Sequence, residues 1–217
     1  VAEEANRRVL NVRDLGLMPY EAALNVQETA VEARKAGEAP DLLLLVEHEP
    51  VYTLGRNSED DNIVAGAEKL EEWGVDVVRT GRGGQVTYHG PGQLVGYPII
   101  SLQGRAGVAW YVNSLEETLI RTLANFGVDA TRDPSNRGVW VGSEKIAAIG
   151  VRITRGVTMH GFSLNVDVNM NHYGGIIPCG IRGRGVTSLH LKTPDVSMDE
   201  VKETVIESFC KVFDYER

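Results

Sequence analysis

The sequence predicts an α+β fold, a mixed β-sheet flanked by helices, and three observations carry that reading. Strand signals dominate the centre of the chain, while long helical patterns stand near its start and its end. The order of elements is neither a regular βαβ alternation nor a run of strands alone. No stretch rich in proline and polar residues divides the 217 residues, so residues 1–217 read as one domain.

Taken in order, residues 1–18 read as a lead-in and one strand. Pro19 then opens a helix, because its missing N–H is no loss in a first turn. Tyr20, Ala23, Leu24, Gln27 and Val31 recur at three- and four-residue spacing, and the helix stops near Gly37. DLLLLVEHEP is a buried strand and VYTLG after Pro50 a second. The apolar run Leu42–Val46 fits a sheet covered on both faces. Residues 57–66 are polar loop, EKLEEWG is a short helix, and VDVVRT is a strand running into GRGG. A further strand spans about residues 93–100. Residues 107–126 form the clearest helix, with Val108, Val112, Leu115, Leu119 and Leu123 on one face and Gly127 as its C-cap. GVWVG, KIAAIGVRI and MHGFSLNVDV are strands, the first two joined by a hairpin turn at Gly142 and Ser143. Residues 197–213 close the chain as a helix with Val201, Val205 and Phe209 on its inner side.

A chain that is 42% apolar and 24% charged can build a sizeable core. Its net charge of −8 argues against non-specific binding to nucleic acid or to an anionic membrane. The local basic stretches Arg79–Gly84 and Arg182–Gly185 are either solvated loop charges or a dock for an acidic partner. No run of about 20 apolar residues exists, and the first residues lack a signal-peptide core. The two cysteines, Cys179 and Cys210, have no C-x-x-C or zinc-type spacing. No metal, no cofactor and a reducing, cytoplasmic setting are therefore expected, with an organellar form or a leader removed before Val1 left open.

The densest unusual stretch is RGGQVTYHGPGQLVGYPI, from Arg82 to Ile99. Its glycines let a ligand lie against the main chain; otherwise it is a tight turn between strands, in which His89 only satisfies a loop hydrogen bond. No phosphate-loop pattern fits it. Cys179, between Pro178 and Gly180, belongs to a strand end or loop. It is either a nucleophile beside backbone N–H groups that face an oxyanion, or a small buried hydrophobe. Cys210, beside Phe209 and Val212, is packing. Lys145 opens the apolar KIAAIGVRI; it is a desolvated proton-transfer group, an ammonium that stabilises a thiolate, or a solvent-facing lysine at a hairpin end. His160 is a ligand-facing group or an ordinary core or surface histidine. No carboxylate pair suits glycoside hydrolysis.

These stretches, with GVWVGSEKIAAIGVRI, HGFSLNV and IIPCGIRGRGVTSL, closely resemble the lipoate-protein ligase B family, the lipoyl(octanoyl) transferases. The resemblance runs from about residue 10 to 214. It implies the fold shared with biotin protein ligases and lipoate-protein ligases. It implies octanoyl or lipoyl transfer from acyl carrier protein to a lipoyl-domain lysine, the first step of endogenous protein lipoylation. Acceptors would be lipoyl domains of 2-oxoacid dehydrogenase complexes and the glycine cleavage H protein. The family's nucleophile and paired lysine fall on Cys179 and Lys145. Its substrate contacts fall on Arg82, Gly83, Gly84, Gln85, Val86, Thr87, Tyr88 and His89, on Ala148, Ile149 and Gly150, and on Gly161, Phe162 and Ser163, with His160 in support. A departure is NMNHYGGIIPCG, where members carry an Asp- or Phe-containing approach to the cysteine. The alternatives are an ATP-dependent lipoate-protein ligase, an amidotransferase moving octanoyl between lipoyl domains, and a carrier-binding module without turnover.

Overall fold

The structure is a computed structural model that describes residues 8–177 and 184–216. Strands β1 (Arg8–Met18), β2 (Asp41–His48), β6 (Gln93–Ile99), β8 (Val139–Val141), β9 (Glu144–Thr154) and β10 (Val157–Asn165) join the short β7 (Thr131–Arg132) and β11 (Tyr215–Glu216) in one sheet. The order is β11-β1-β2-β6-β10-β9-β8-β7, with β1 parallel to both its neighbours and the other pairs antiparallel. Three further strands, β3 (Val51–Leu54), β4 (Asp76–Arg79) and β5 (Val86–His89), make a small sheet ordered β4-β3-β5. The fold is the mixed α+β arrangement that the sequence predicts.

Both faces of the large sheet are covered, as the unbroken run in β2 requires. Leu43 and Leu45 point into a core built with α3 (Val108–Asn125) and α4 (Met198–Phe213), through Leu115, Leu119, Val205 and Phe209. Leu44 and Val46 point the other way, toward Ala23 and Val31 of α1 (Tyr20–Ala36). Gly37, at φ 77, closes α1 with hydrogen bonds to Ala33 and Arg34. Ser197 and Glu200 form a capping box at the start of α4. The short α2 (Ala67–Trp73) packs on the small sheet beside a third core of Tyr52, Val86, Tyr88 and Tyr173. Among the described residues no helix is long and apolar enough to cross a membrane.

Two expectations change. Val108 is 55% exposed rather than on the inner face of α3, because it is the helix's first residue and the buried face begins only at Tyr111. The stretch before Gly90 is not a bend but β5, so Tyr88 and His89 are strand residues and the turn is left to Gly90–Gly92. Pairing with Val51 and Tyr52 on β3 fixes this register.

Candidate active site

A cleft lies between the loop before β5 and the α1-facing side of the large sheet. Antiparallel pairing sets its floor. Val95, Ser163 and Ala148 stand opposite one another on β6, β10 and β9, and two residues along, Gly161 faces Gly150 with Tyr97 beside them. Alternation puts these side chains on one face. The intervening Phe162 and Ile149 border the cleft but pack into the α3/α4 core, the Phe162 ring lying over Gly96.

Arg82, Gly84, Gln85, Val86 and Thr87 make the opposite wall, and His89 with His160 and Tyr20 completes it. Gly83 and Tyr88, expected as contacts, do not line the cleft. The Gly83 N–H donates to Val151 O at 2.9 Å, pinning the loop to β9. Tyr88 faces away into the third core, 2.7 Å from His172 Nδ1.

The wall is held by a buried polar chain. Arg82 is 7% exposed and donates to Thr53 O at 2.6 Å, to Thr53 Oγ1 at 2.8 Å and to Gly83 O at 3.0 Å. Gln93 Nε2 donates to Tyr88 O and Asn165 Oδ1, so its Oε1 accepts from His89 Nδ1 at 2.6 Å. His89 Nε2 is then an acceptor, and the Thr53 hydroxyl donates to it at 3.3 Å. His48 follows the same logic: Nδ1 donates to Met18 O, and Nε2 accepts from the Tyr97 hydroxyl at 2.7 Å. The histidines on this side are therefore neutral. Burial pushes His48 down to about 4 against the opposing pull of its bond to Met18 O. Burial, reinforced by the Arg82 and Arg152 guanidiniums, does the same to His160, and burial with His48 nearby holds His89 well below its usual range.

This makes the fold acid-labile in a defined window. In the unfolded chain these rings take protons near pH 6.5, whereas in the folded chain His48 and His160 do so only near 4. Their contribution is fully present above about pH 6.5–7 and is lost as the pH falls toward 4. Urea unfolding at pH 5 should show a stability lower than at pH 7.5 by about 2–4 kcal/mol. Equal stability at both values would contradict the buried neutral rings.

Lys145 sits beyond the Ala148 end of the cleft and is 8% exposed, so it is not a solvent-facing hairpin lysine. Its Nζ donates to Arg137 O at 3.1 Å and lies 4.8 Å from the centre of the Trp140 ring. Gly138, at φ 126, makes room for it: a Cβ there would stand 3.3 Å from Lys145 Cε and 2.5 Å from Ala147 O. The loop holding Arg137 and Gly138 is clamped by α3, where buried Glu116 accepts from the Gly138 N–H at 3.1 Å and lies 3.4 Å from Arg137 Nη1. The chain returns beside Lys145 after the cysteine segment. Gly185 O accepts from Lys145 N, Thr187 N donates to Lys145 O, and the Arg184 guanidinium stacks 3.7 Å from the Trp140 ring centre. Cys179 itself lies outside the described residues, as do Pro178 and Gly180. Cys210 is buried in the α3/α4 core.

Sequence reasoning missed Tyr20, Val95 and Tyr97 of the cleft, and Trp140, Arg137 and Glu116 around Lys145. Tyr20 was visible only as a core position of α1. Glu116 reads as a charge in an amphipathic helix, and nothing local marks it as buried.

Comparison with known proteins agrees with this architecture. The lipoyl protein ligase A/B catalytic domain model matches residues 19–210. The octanoyltransferase of Alkaliphilus metalliredigens is 48% identical over 211 residues, covering 95% of this chain and 96% of that protein. The octanoyltransferase of Solibacter usitatus is 48% identical over 206 residues, covering 94% and 93%. Among solved structures, a lipoate protein ligase of T. acidophilum with bound lipoic acid superposes with a TM-score of 0.76 at 16% identity, over 97% of this chain and 88% of that one. The biotin protein ligase of Aquifex aeolicus gives a TM-score of 0.55 at 12% identity, over 94% and 68%. These two likenesses are of fold. The chain belongs to the lipoyl protein ligase A/B catalytic domain family and, within it, to the octanoyltransferases, which are acyltransferase enzymes.

Proposed function

We propose that residues 1–217 form one catalytic domain that moves an octanoyl or lipoyl group from an acyl carrier protein thioester to a lysine of a lipoyl domain, through a thioester on Cys179. The observation that carries this reading is the burial of Lys145 between the end of an apolar, glycine-floored cleft and the strand-like pairing of Gly185 and Thr187, six and eight residues after the cysteine. A cation held there stabilises a thiolate approaching from that segment.

The Cys179 thiolate attacks the thioester carbonyl, the carrier thiolate leaves and takes its proton from the Lys145 ammonium, and an octanoyl thioester remains on the enzyme beside a neutral Lys145. Exchange of one thioester for another is nearly balanced, so this step needs no nucleotide. The acceptor lysine, protonated in water near its ordinary pKa of about 10.4, gives its proton to the Lys145 amine left neutral by the first step, which restores the ammonium. The acceptor amine then attacks the acyl carbonyl and loses a second proton to water, forming the amide and releasing the Cys179 thiolate. The cleft holds the alkyl chain, at about 0.8 kcal/mol per buried methylene. The acceptors are lipoyl domains of 2-oxoacid dehydrogenase complexes and the glycine cleavage H protein, and a reducing cytoplasm suits a free thiol.

Three donors separate this reading from its relatives. Octanoyl-carrier protein, octanoate with ATP, and an octanoylated lipoyl domain are each supplied with an apo lipoyl domain. Octanoylation from the thioester alone is expected. Strict dependence on ATP and free acid, or transfer only from octanoyl-lysine, would overturn it.

A further inference from the structure

The two ends of the cleft are built differently. At the Lys145 end the floor is Val95, Ser163 and Ala148; at the other end the chain of β10 meets His160, with Tyr97 and Tyr20 beside it. His160 is 1% exposed and adopts φ 58, a left-handed conformation in the middle of a strand. Only glycine, and less readily Asn, Asp or His, takes that conformation at low cost. Something must therefore hold it there, and Gln27 of α1 does: its Oε1 accepts from the His160 N–H at 3.0 Å. The strain turns the imidazole into the cleft, edge-on to Tyr97 with ring centroids 6.4 Å apart. Among the described residues His160 Nδ1 has no hydrogen-bond partner. A buried polar ring edge thus stands at this end of the cleft, beside Tyr97 and Tyr20.

We propose that His160, fixed by Gln27, is the end wall that sets the length of acyl chain the cleft accepts. Ser163 and His160 are three residues apart on β10, which is about 10 Å of strand. An extended eight-carbon chain spans roughly 9 Å at ~1.3 Å of advance per carbon–carbon bond. With its carboxyl end at the Ala148 row, such a chain places its methyl against the imidazole. Longer chains must push the ring from a position that the backbone over-determines, or leave methylenes outside the cleft. The inference rests on the acyl-transfer reading only in taking a fatty acyl chain as the occupant.

The test is binding of sodium octanoate and sodium dodecanoate by calorimetry, which needs no turnover. The wild-type chain should bind octanoate at least ~10-fold more tightly than dodecanoate, since in a closed pocket one excess methylene already costs that much. His160→Gly, which suits the left-handed backbone, should bring the two affinities within about threefold by opening the wall. His160→Asn, smaller than histidine and also at ease in that conformation, should fall between, and is the variant to rely on if the glycine form melts early. A wild type that binds the two acids equally or binds neither, or folded variants that keep the wild-type ratio, would overturn the assignment. Loss of Cys179-dependent transfer with this binding pattern intact would strike the acyl-transfer reading instead.

Discussion

Lys145→Ala should slow formation of the octanoyl-enzyme by about 10²–10⁴-fold, the range of a positioned acid–base or charge-stabilising group. The reason is geometric. Lys145 is walled in by Gly138, Trp140 and the Arg137 carbonyl, with the chain from the cysteine segment paired along its backbone. Lys145→Arg should not rescue activity, because the ammonium sits between the Arg137 carbonyl and the Trp140 ring, and a planar guanidinium needs more width than an ammonium. Rapid-quench single turnovers give the rate. Alkylation of Cys179 by iodoacetamide across pH gives a readout that packing damage would not move, since a lost cation raises the pH at which the thiol reacts. Losing the bond to Arg137 O also costs about 1–3 kcal/mol of stability, which a melting curve separates from the chemistry. A variant that acylates at the wild-type rate would remove Lys145 from the mechanism.

Gly161→Ala should abolish octanoate binding and cost about 3 kcal/mol or more of stability. A Cβ at this position would overlap Gly96 O and stand 2.7 Å from Pro98 Cδ. The obstacle is backbone of β6, a strand hydrogen-bonded on one side to β2 and on the other to β10, so it cannot retreat without tearing one of those pairings. The same atom would project into the cleft floor. As a control, Gly66→Ala meets nothing within 4 Å and lies at an ordinary φ of −68, so its cost should stay below about 1 kcal/mol. Urea midpoints and octanoate titration of the two variants decide the matter; a Gly161→Ala chain as stable as the control would show that the strand spacing is looser than described.

The fold was legible where periodicity and burial coincide. The run Leu42–Val46 announces a strand covered on both faces, and that strand divides the α1 core from the α3/α4 core. Helix α3 was legible in extent but less so in face. Thr118 and Thr122 are fully buried because their hydroxyls donate to Ser114 O and Thr118 O four residues back. Polar residues satisfied in this way are invisible to a hydrophobic pattern. Strand β5 was hidden for a related reason: the glycines on either side of Val86–His89 read as one long bend, and only its pairing with β3 makes it a strand.

The cleft shows the same division. The glycine-rich stretch and the residues after Lys145 and His160 converge on one wall and one floor, as their composition allows. The support behind them was not readable, since Thr53, Gln93 and Asn165 carry ordinary polar side chains. They matter only because the fold brings them to Arg82 and His89 across 29, 4 and 72 residues of sequence, through direct or shared bonds. Glu116 and Trp140 belong with them: what gives each its place is a neighbour distant in the chain.

The central claim is that Cys179 carries the acyl group. The most direct test is the intact mass of the enzyme after mixing with octanoyl-carrier protein in the absence of any acceptor. The account predicts a gain of one octanoyl group, mapped by peptide digestion to Cys179, lost on adding an apo lipoyl domain and absent in Cys179→Ala. An unmodified enzyme that nevertheless transfers octanoyl, or a Cys179→Ala chain that transfers as well as the wild type, would contradict it.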